Sequence, residues 1–310
     1  MDKPLTAAEV PPRFLNSTLL VGHIPHRALV SDPRVSYALY VPPQHYGYGA
    51  GAAPARGKVP LLVSIHGTRR HFYDIYDLAP FADSAACAIL TPLFPAGLDG
   101  PDDIDSYKLL RSKTLRSDLA LLSMLDEVAV RWPAIDTDTI FLAGFSGGGQ
   151  FAHRFLYLYP ERLAAVSVGA PGHATVLDDQ RNWPAGVKDV DALFGKSINK
   201  DLIKRVPVQL VVGDADVKTH GSEEFWTWVR ELKAQRSAGS KTNNDIEGLS
   251  FMDRGRLETM HSLHELWKRD GIEAQLDIVG GVAHEVRGVR DSVLAFLKPK
   301  VQKHSTNYAV

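Results

Sequence analysis

The sequence predicts an α/β fold built on a mostly parallel β-sheet with helices on both faces. Two observations lead to this prediction: six short, nearly continuous apolar runs are spaced along the chain, and amphipathic stretches lie between them. Parallel strands that are covered on both faces read as continuous apolar runs. With 310 residues, 45% of them apolar, the chain can build one large core. We therefore expect one domain over residues 1–310.

The strands are predicted in chain order from these runs. Near the N-terminus, "HRALV" and "VSYALYV" flank the turn signal "SDPR" and predict an antiparallel hairpin. The apolar runs that predict buried parallel strands are "VPLLVSI" (59–65), "CAILTPLF" (87–94), "TIFLAGF" (139–145), "LAAVSVGA" (163–170), "VPVQLVVG" (206–213) and "AQLDIVGG" (274–281).

Helices are predicted between the strands. Residues 114–132 place leucines at helical spacing, and "GQFAHRFLYLY" ends at Pro160, where a helix stops. The stretch "RLETMHSLHELWKRDG" ends in Gly271, a suitable helix C-cap, and "VRGVRDSVLAFL" predicts the last helix.

Two long segments interrupt this alternation. Residues 171–205 are long for a single crossover, and residues 217–255 combine a helix-like stretch with the polar run "SAGSKTNNDIEG". Loops of this length are usually functional lids or flexible insertions. We expect a cap over the site from residues 171–205 and a flexible surface insertion within 217–255.

Composition excludes several classes of protein. The formal net charge is −1 and no block of like charge is present, so neither nucleic acid nor a membrane surface is expected as a partner. No apolar stretch is long enough for a membrane span, and the first residues lack the pattern of a signal peptide. The single cysteine, Cys87, lies in an apolar run and predicts a buried structural thiol in a reducing compartment. The sequence thus predicts a cytoplasmic protein.

A serine among glycines carries the first functional signal. Residues 144–148, "GFSGG", match the G-x-S-x-G pattern of a nucleophile elbow, in which a serine sits at a sharp turn from strand to helix. An apolar strand precedes the motif and a helical pattern follows it, as the elbow requires. The alternative is a glycine-rich turn with an inactive serine; a phosphate-binding loop would need a Gly-Lys-Ser/Thr sequence that is absent.

A serine nucleophile needs a base and an acid that orients it, and in elbow enzymes these follow in the order acid, then histidine. One predicted strand ends at Asp214 and Asp216, and His284 follows the next. Both loops would lie at the carboxyl edge of the sheet, where Ser146 also lies. We favour Asp216, which is further from its strand, and expect Asp214 to form the turn. For His284 the alternative is a surface loop histidine.

An oxyanion hole needs two backbone N–H donors near the reacting carbonyl. Gly147 would supply one from the N-terminus of the helix, and the loop after "VPLLVSI" would supply the other. In this loop we expect Thr68 to donate, with Arg69 as the alternative. His66 is expected to support the loop and not to act as a second base.

Substrate-binding candidates are Arg69, Tyr73, Phe94 and Trp183. Arg69 could bind a substrate carboxylate, whereas the alternative for arginines in this stretch is a surface ion pair with Asp74 or Asp77. Phe94 and Trp183 could line an apolar pocket, although core packing explains Phe94 equally well.

Neither a metal nor a cofactor is expected. His261 and His264 are three apart on a predicted helix, but no third ligand accompanies them. The acidic run "GPDDIDS" lacks the spacing of an EF-hand loop and predicts a solvated loop that caps a helix.

Four stretches together resemble the α/β-hydrolase superfamily: "HG" after the predicted strand 59–65, "GFSGGG", "VVGDAD" and "GGVAH". The resemblance covers roughly residues 20–300 and is strongest to the compact esterase-like branch, which includes polyhydroxyalkanoate-depolymerase-like and feruloyl-esterase-like enzymes. It implies an eight-stranded, mostly parallel sheet and acyl-enzyme chemistry on Ser146 with Asp216 and His284, without a metal or cofactor. The chain departs from secreted members of this branch because it has no paired cysteines and no signal peptide, so degradation of extracellular polymers is not expected.

The sequence thus predicts a serine hydrolase that cleaves a carboxylic ester of a small or medium organic substrate. One alternative keeps the triad but uses it as a peptidase, an amidase or a C–C bond hydrolase. Prolyl-oligopeptidase-like enzymes share "GFSGGG" but usually carry a large N-terminal propeller, and only about 20 residues precede the hairpin here. A second alternative is a non-catalytic binding protein on the same fold.

Overall fold

The computed structural model describes residues 4–46, 58–71, 74–101, 103–218 and 255–307. Within them, the strands are β1 (Gly22–Ala28), β2 (Ser36–Val41), β3 (Leu61–Ile65), β4 (Ala88–Leu93), β5 (Ile140–Phe145), β6 (Leu163–Gly169), β7 (Val208–Gly213) and β8 (Ala274–Val279). They form one eight-stranded sheet in the order β1-β2-β4-β3-β5-β6-β7-β8. β2 runs antiparallel to both β1 and β4, and all other neighbours are parallel. The predicted hairpin and the parallel arrangement of the six later strands are confirmed, but β8 is an edge strand without a fully buried residue, so its prediction as a buried strand is wrong.

The α-helices of the described residues connect these strands in the expected α/β alternation. They are α1 (Asp74–Ala85), α2 (Ser117–Arg131), α3 (Gly147–Leu158), α4 (Val190–Phe194), α5 (Lys200–Ile203), α6 (Arg256–Arg269) and α7 (Val286–Asn307). The helices predicted from the sequence are α2, α3, α6 and α7. No helix of the described residues is long and apolar enough to cross a membrane.

Helix α1 was not predicted from the sequence. Its polar first turn and Pro80 hide the periodicity, yet Ile75, Leu78 and Phe81 recur every three residues and are buried against the sheet. This spacing is the signal that could have identified the helix.

The sheet separates two hydrophobic layers. One layer packs the buried side chains of α2, α3 and α6, among them Leu125, Phe155 and Trp267, against one face. The other packs α1 and α7 against the opposite face, with Leu62, Phe141 and Ala165 contributed by the strands. Strand residues alternate between the two layers, as the pleat of a sheet requires.

The single cysteine lies in the second layer. Cys87 is fully buried, and burial raises the pKa of its thiol, so the prediction of a structural thiol is confirmed.

The segment 171–205, which includes α4 and α5, packs beside α3. The Trp183 indole N–H donates to the carbonyl oxygen of Leu109 at 2.9 Å, and the Arg154 Nε of α3 donates to the Thr175 hydroxyl at 2.8 Å. No residue of this segment lines the cavity at Ser146 that is described below. Polar contacts from α3 and from residue 109 thus hold the segment beside α3, and a cap over the site stays a prediction.

The predicted surface insertion within 217–255 falls mostly on residues 219–254, which lie outside the described residues, as does Tyr73.

Candidate active site

Ser146 lies at the turn between β5 and α3 with φ of 58° and ψ of −114°. A positive φ is unfavourable for a residue with a side chain and persists only where the surroundings enforce it. Here the Ser146 N–H donates to the Gly169 carbonyl oxygen at 2.8 Å, and the Ser146 carbonyl oxygen accepts from the Gln150 N–H at 3.0 Å. Neighbouring backbone thus holds the serine in the geometry of a nucleophile elbow.

Close backbone contacts explain the glycines around this serine. A Cβ atom on Gly144 would collide with the carbonyl oxygen of Gly148, and a Cβ atom on Gly148 would collide with the carbonyl oxygen of Ile65. Any side chain at these two positions would push α3 away from the sheet. The cluster is therefore required by the tight passage from strand to helix.

His284 and Asp216 form the charged pair of the site. The His284 Nδ1 donates to Asp216 Oδ2 at 2.6 Å, and Asp216 is only 2% exposed. Because a carboxylate only accepts, this contact assigns the proton of a neutral imidazole to Nδ1 and makes Nε2 the unprotonated, accepting nitrogen of the ring. The His284 ring also lies against the Phe145 ring, with centroids 4.8 Å apart.

The two acids after β7 have different contacts. Asp214 Oδ1 accepts from the Gly281 N–H at 2.7 Å, an exposed contact typical of a turn-forming aspartate. Asp216 is the one that contacts His284.

The loops that carry Asp216 and His284 are held together at close range. The Ala215 N–H donates to the Val282 carbonyl oxygen at 3.0 Å, and a Cβ atom on Gly213 would collide with that same oxygen. Gly213 therefore permits the approach of the two loops that brings Asp216 and His284 together.

Arg256 is a further charged residue beside the pair, and it was not predicted from the sequence. Its Nη1 lies 3.7 Å from Asp216 Oδ1 and donates to the Lys218 carbonyl oxygen at 2.7 Å. Arg256 is 6% exposed; burial lowers its pKa, and Asp216 opposes that shift. The Leu257 N–H also donates to the Asp216 carbonyl oxygen at 3.1 Å, so the start of α6 holds Asp216 in place.

The loop after β3 flanks the serine. A Cβ atom on Gly67 would lie 3.9 Å from Ser146 Cβ, and one on Gly147 would lie 3.1 Å from the Thr68 backbone nitrogen. Gly147 and Thr68, the two predicted N–H donors, are thus on neighbouring backbone segments beside Ser146.

His66 supports this loop, as the sequence predicts. Its Nδ1 lies 2.9 Å from the Gly67 carbonyl oxygen, and its Nε2 accepts from the Phe94 N–H at 3.0 Å. Burial lowers the pKa of His66 to about 4, so the ring is neutral at pH 7. The ring nitrogens are committed to the backbone, which leaves no role as a base.

Arg70 is a second support that sequence reasoning missed. Its guanidinium donates to the carbonyl oxygens of Thr68 at 2.6 Å, Phe94 at 2.8 Å and Ile104 at 3.0 Å. Three carbonyls on three segments are thereby held by one planar group, which orients the Thr68 peptide.

Ser146, His284, Thr68 and Arg69 line one cavity of about 770 Å³. This volume lies within the range of about 300–1,000 Å³ for small-molecule sites. Asp216 is buried behind His284. In the described residues, no group of three or more metal-ligating side chains is present.

Of the predicted substrate-binding residues, some line the cavity and others do not. Arg69 is exposed and lines the cavity, whereas Tyr73 lies outside the described residues. The alternative of an ion pair between an arginine of this stretch and Asp74 or Asp77 is wrong. Arg290 of α7 binds both acids instead, at 3.2 Å from Asp74 and 2.8 Å from Asp77.

Phe94 and Trp183 do not line the cavity, so their prediction as an apolar substrate pocket is wrong. Phe94 is fully buried between the rings of Tyr107 and Phe151, at centroid distances of 5.6 and 5.5 Å. Trp183 packs against Phe194 at 5.1 Å. Both belong to the α2, α3 and α6 side of the sheet, whereas the cavity lies on the other side.

Comparison with known proteins gives no match to a family model or to a curated protein. Solved structures do match. The poly(3-hydroxybutyrate) depolymerase LpqC from Bordetella parapertussis is 20% identical, with a TM-score of 0.60 over 94% of each chain. Poly(aspartic acid) hydrolase-1 from Sphingomonas sp. KT-1 is 20% identical, with a TM-score of 0.58 over 84% of this chain and 92% of that one.

A third match is FphF, a fluorophosphonate-binding serine hydrolase of Staphylococcus aureus. It is 12% identical, with a TM-score of 0.55 over 90% of this chain and 98% of that one. The chain has the α/β-hydrolase fold. The resemblance drawn from the four sequence motifs is thereby confirmed at the level of the fold. Within this fold, Ser146, Asp216 and His284 follow β5, β7 and β8 at the carboxyl edge of the sheet.

Proposed function

We propose that this chain is a serine hydrolase that cleaves a carboxylic ester of a small or medium organic substrate through an acyl-enzyme on Ser146. One observation carries the proposal: a serine held at a positive φ lines the same cavity as a histidine whose Nδ1 is bound to a buried aspartate. A strained serine, a base and an orienting acid are the components of nucleophilic acyl transfer.

In the first step, the Ser146 Oγ attacks the ester carbonyl carbon while His284 Nε2 takes the hydroxyl proton. The new bond forms between Oγ and carbon, and the carbonyl π electrons move to the oxygen. Asp216 holds the imidazole in the productive tautomer and stabilises its charged form.

The oxyanion that forms would be bound by the backbone N–H groups of Gly147 and Thr68. The N-terminus of α3 adds a favourable dipole for negative charge. Removal of one such donor typically costs about 100- to 1,000-fold in turnover. Arg70 and His66 are positioning residues because they hold the Thr68 loop through its backbone.

Collapse of the tetrahedral intermediate breaks the bond to the alcohol oxygen, which leaves with the proton from His284. A water then attacks the acyl carbon, gives a proton to His284 and releases the acid, while Ser146 regains its proton.

We further propose a cytoplasmic location, for which the single buried Cys87 is the supporting feature.

The experiment is labelling with a fluorophosphonate probe, together with rates on p-nitrophenyl esters from acetate to palmitate and on aminoacyl-nitroanilides. We expect the wild type to be labelled and to hydrolyse esters faster than anilides. Ser146→Ala should abolish both labelling and hydrolysis, whereas Ser123→Ala, a serine on α2, serves as the matched control and should retain both. Absent labelling of the wild type, or equal labelling of Ser146→Ala, would contradict the proposal.

A further inference from the structure

The cavity at Ser146 extends along the sheet because three small residues lie side by side in neighbouring strands. Ser64 of β3 pairs with Ala143 of β5, and Ala143 pairs with Ser167 of β6. Central strands of an α/β sheet are normally covered by large side chains on both faces. Here Ser64 and Ala143 stay partly exposed, and all three residues line the cavity.

The two helices on this face contribute both apolar and charged side chains to the other walls of the cavity. Leu78 of α1 and Val293 and Leu294 of α7 line it opposite the small residues. α1 and α7 are joined by Arg290, which binds both Asp74 and Asp77 of α1. These ion pairs hold the helices in a fixed relation above the gap.

The cavity is long enough for an extended chain. Leu62, which also lines it, is level with Phe141, and Ser146 lies five residues further along the same direction. At a rise of about 3.3 Å per residue, the lining extends roughly 16 Å from the level of the serine.

Charges around the cavity balance. Its described lining contains three arginines, Arg69, Arg287 and Arg290, and three acids, Asp74, Asp77 and Glu285. Arg287 and Arg290 are already paired with the two aspartates. This arrangement gives no net attraction for an anion or a cation and favours a neutral occupant.

We propose that the gap between the sheet and helices α1 and α7 binds an aliphatic chain of the substrate, so that the ester cleaved at Ser146 is a neutral, medium-chain ester. The inference rests on the proposed function, since it assigns the substrate class of the same site. Ser64, Ala143 and Ser167 are the specificity-determining residues, because their small size creates the space that the chain fills.

The first test measures kcat/KM for two ester series: p-nitrophenyl esters with lengthening acyl chains, and acetates of lengthening primary alcohols. We expect one series to rise about fourfold per methylene until the cavity is full, since each buried methylene adds a similar increment of binding. The rising series tells whether the acyl or the alcohol part enters the gap. Equal kcat/KM along both series would overturn the proposal.

The second test fills the gap. Ala143→Leu should lower the ratio of octanoyl- to acetyl-ester kcat/KM, or the matching alcohol ratio, by about 15- to 60-fold, as expected for two to three displaced methylenes. Ser64→Val, which removes no described hydrogen bond, serves if Ala143→Leu does not fold. Ala164→Leu is the matched control: it is a half-buried alanine on β6 outside the cavity, and it should keep the wild-type ratio. An unchanged ratio in a folded gap-filling variant contradicts the proposal.

A binding measurement separates failure of this inference from failure of the proposed function. Calorimetric titration of Ser146→Ala with methyl ketones from 2-hexanone to 2-decanone needs no catalysis. Affinity should rise about fourfold per methylene and lose this dependence in Ser146→Ala/Ala143→Leu. If the wild type shows no labelling and no ester hydrolysis, the proposed function fails, while the titration still decides on the aliphatic site. If the affinity does not change with the chain length of the ketone, the proposed aliphatic site is overturned, whereas the proposed hydrolase function is not.

Discussion

The two faces of the sheet are built from the same strands but differ in how completely they are covered. On the α2, α3 and α6 face, large side chains such as Trp132, Phe151 and Phe155 fill the space between the sheet and the helices. On the α1 and α7 face, Ser64, Ala143 and their neighbours leave a cavity of about 770 Å³.

The two faces of the sheet have different roles: one supports the serine turn, and the other leaves room for a substrate. A filled layer is close-packed and resists displacement, so α3 and the serine turn are fixed from that side. The open layer gives up buried apolar contacts, which costs stability but leaves room for a substrate. Ser146 lies at the edge where the two layers meet.

The largest effect is expected at this shared edge. Asp216→Asn should reduce ester kcat by about 10⁴-fold, because an amide can donate to His284 Nδ1 and then favours the wrong imidazole tautomer. Measurement of kcat on a p-nitrophenyl ester, with circular dichroism to show that the variant is folded, tests this.

Asp214→Asn is the matched control, because within the described part of the chain the Asp214 carboxylate accepts from the exposed Gly281 N–H alone. It should leave kcat within about tenfold of the wild type, as expected for loss of part of one exposed hydrogen bond. Equal losses in the two variants would remove Asp216 from its proposed role.

On the filled face, the expected loss is in stability. Phe155 is fully buried between the rings of Phe151 and Tyr159, at centroid distances of 5.8 and 4.8 Å. Phe155→Ala should lower the free energy of unfolding by about 3–5 kcal/mol, as truncation of a buried aromatic leaves a cavity. Denaturant unfolding at pH 7 measures it. A loss below about 1 kcal/mol would mean that this face is not close-packed.

The filled face should also be sensitive to acid through His66, which lies in this layer beside Tyr107 at 4.7 Å. Its folded-state pKa of about 4 is below the ordinary value of 6.5, so the unfolded chain binds the extra proton between these pH values. The contribution of neutral His66 to the free energy of unfolding is therefore present in full above about pH 6.5. It is lost as the pH falls toward 4, and the loss is on the order of 3 kcal/mol.

Denaturant unfolding from about pH 7 to about pH 4.5 tests this dependence. His66→Gln, which has no proton to gain, should show a shallower decline in the free energy of unfolding than the wild type. Parallel curves for the two proteins would show that other groups cause the acid sensitivity.

The sequence predicts the site residues at the carboxyl edge of the sheet better than it predicts the packing on the two faces of the sheet. Ser146 and His284 follow strands with strong apolar signals, and Gly144 and Gly148 are required by local backbone contact, so short-range patterns suffice. Asp216 was favoured over Asp214 because it lies further from its strand, but the contact that distinguishes them joins residues 68 positions apart in the chain.

Other features depended on long-range packing that no local pattern encodes. Arg256 reaches Asp216 from 40 residues further along, as the difference between the two residue numbers gives. Ser64 and Ala143 read as ordinary strand residues, and only the pairing of their strands turns them into one gap. Phe94 was assigned to a pocket because its apolar character is equally compatible with core and site; its position in the sheet puts it in the filled layer.

A matched pair of valines gives the finest comparison of the two faces. Val293 of α7 is half-buried and lines the cavity, whereas Val128 of α2 is fully buried in the filled layer. Val293→Ala should cost only about 1 kcal/mol of unfolding free energy, because much of its surface already faces open space. Val128→Ala should cost about 2–3 kcal/mol, since it creates a new void.

The same pair also separates stability from specificity. Val293→Ala enlarges the cavity, so the preferred chain of the ester should become longer by one or two methylenes, at about fourfold in kcat/KM for each. Val128→Ala should leave the chain-length profile unchanged despite its larger cost in stability. If instead both variants lose stability equally and neither shifts the profile, the α1 and α7 face is packed as tightly as the other, and the contrast between the two layers does not hold.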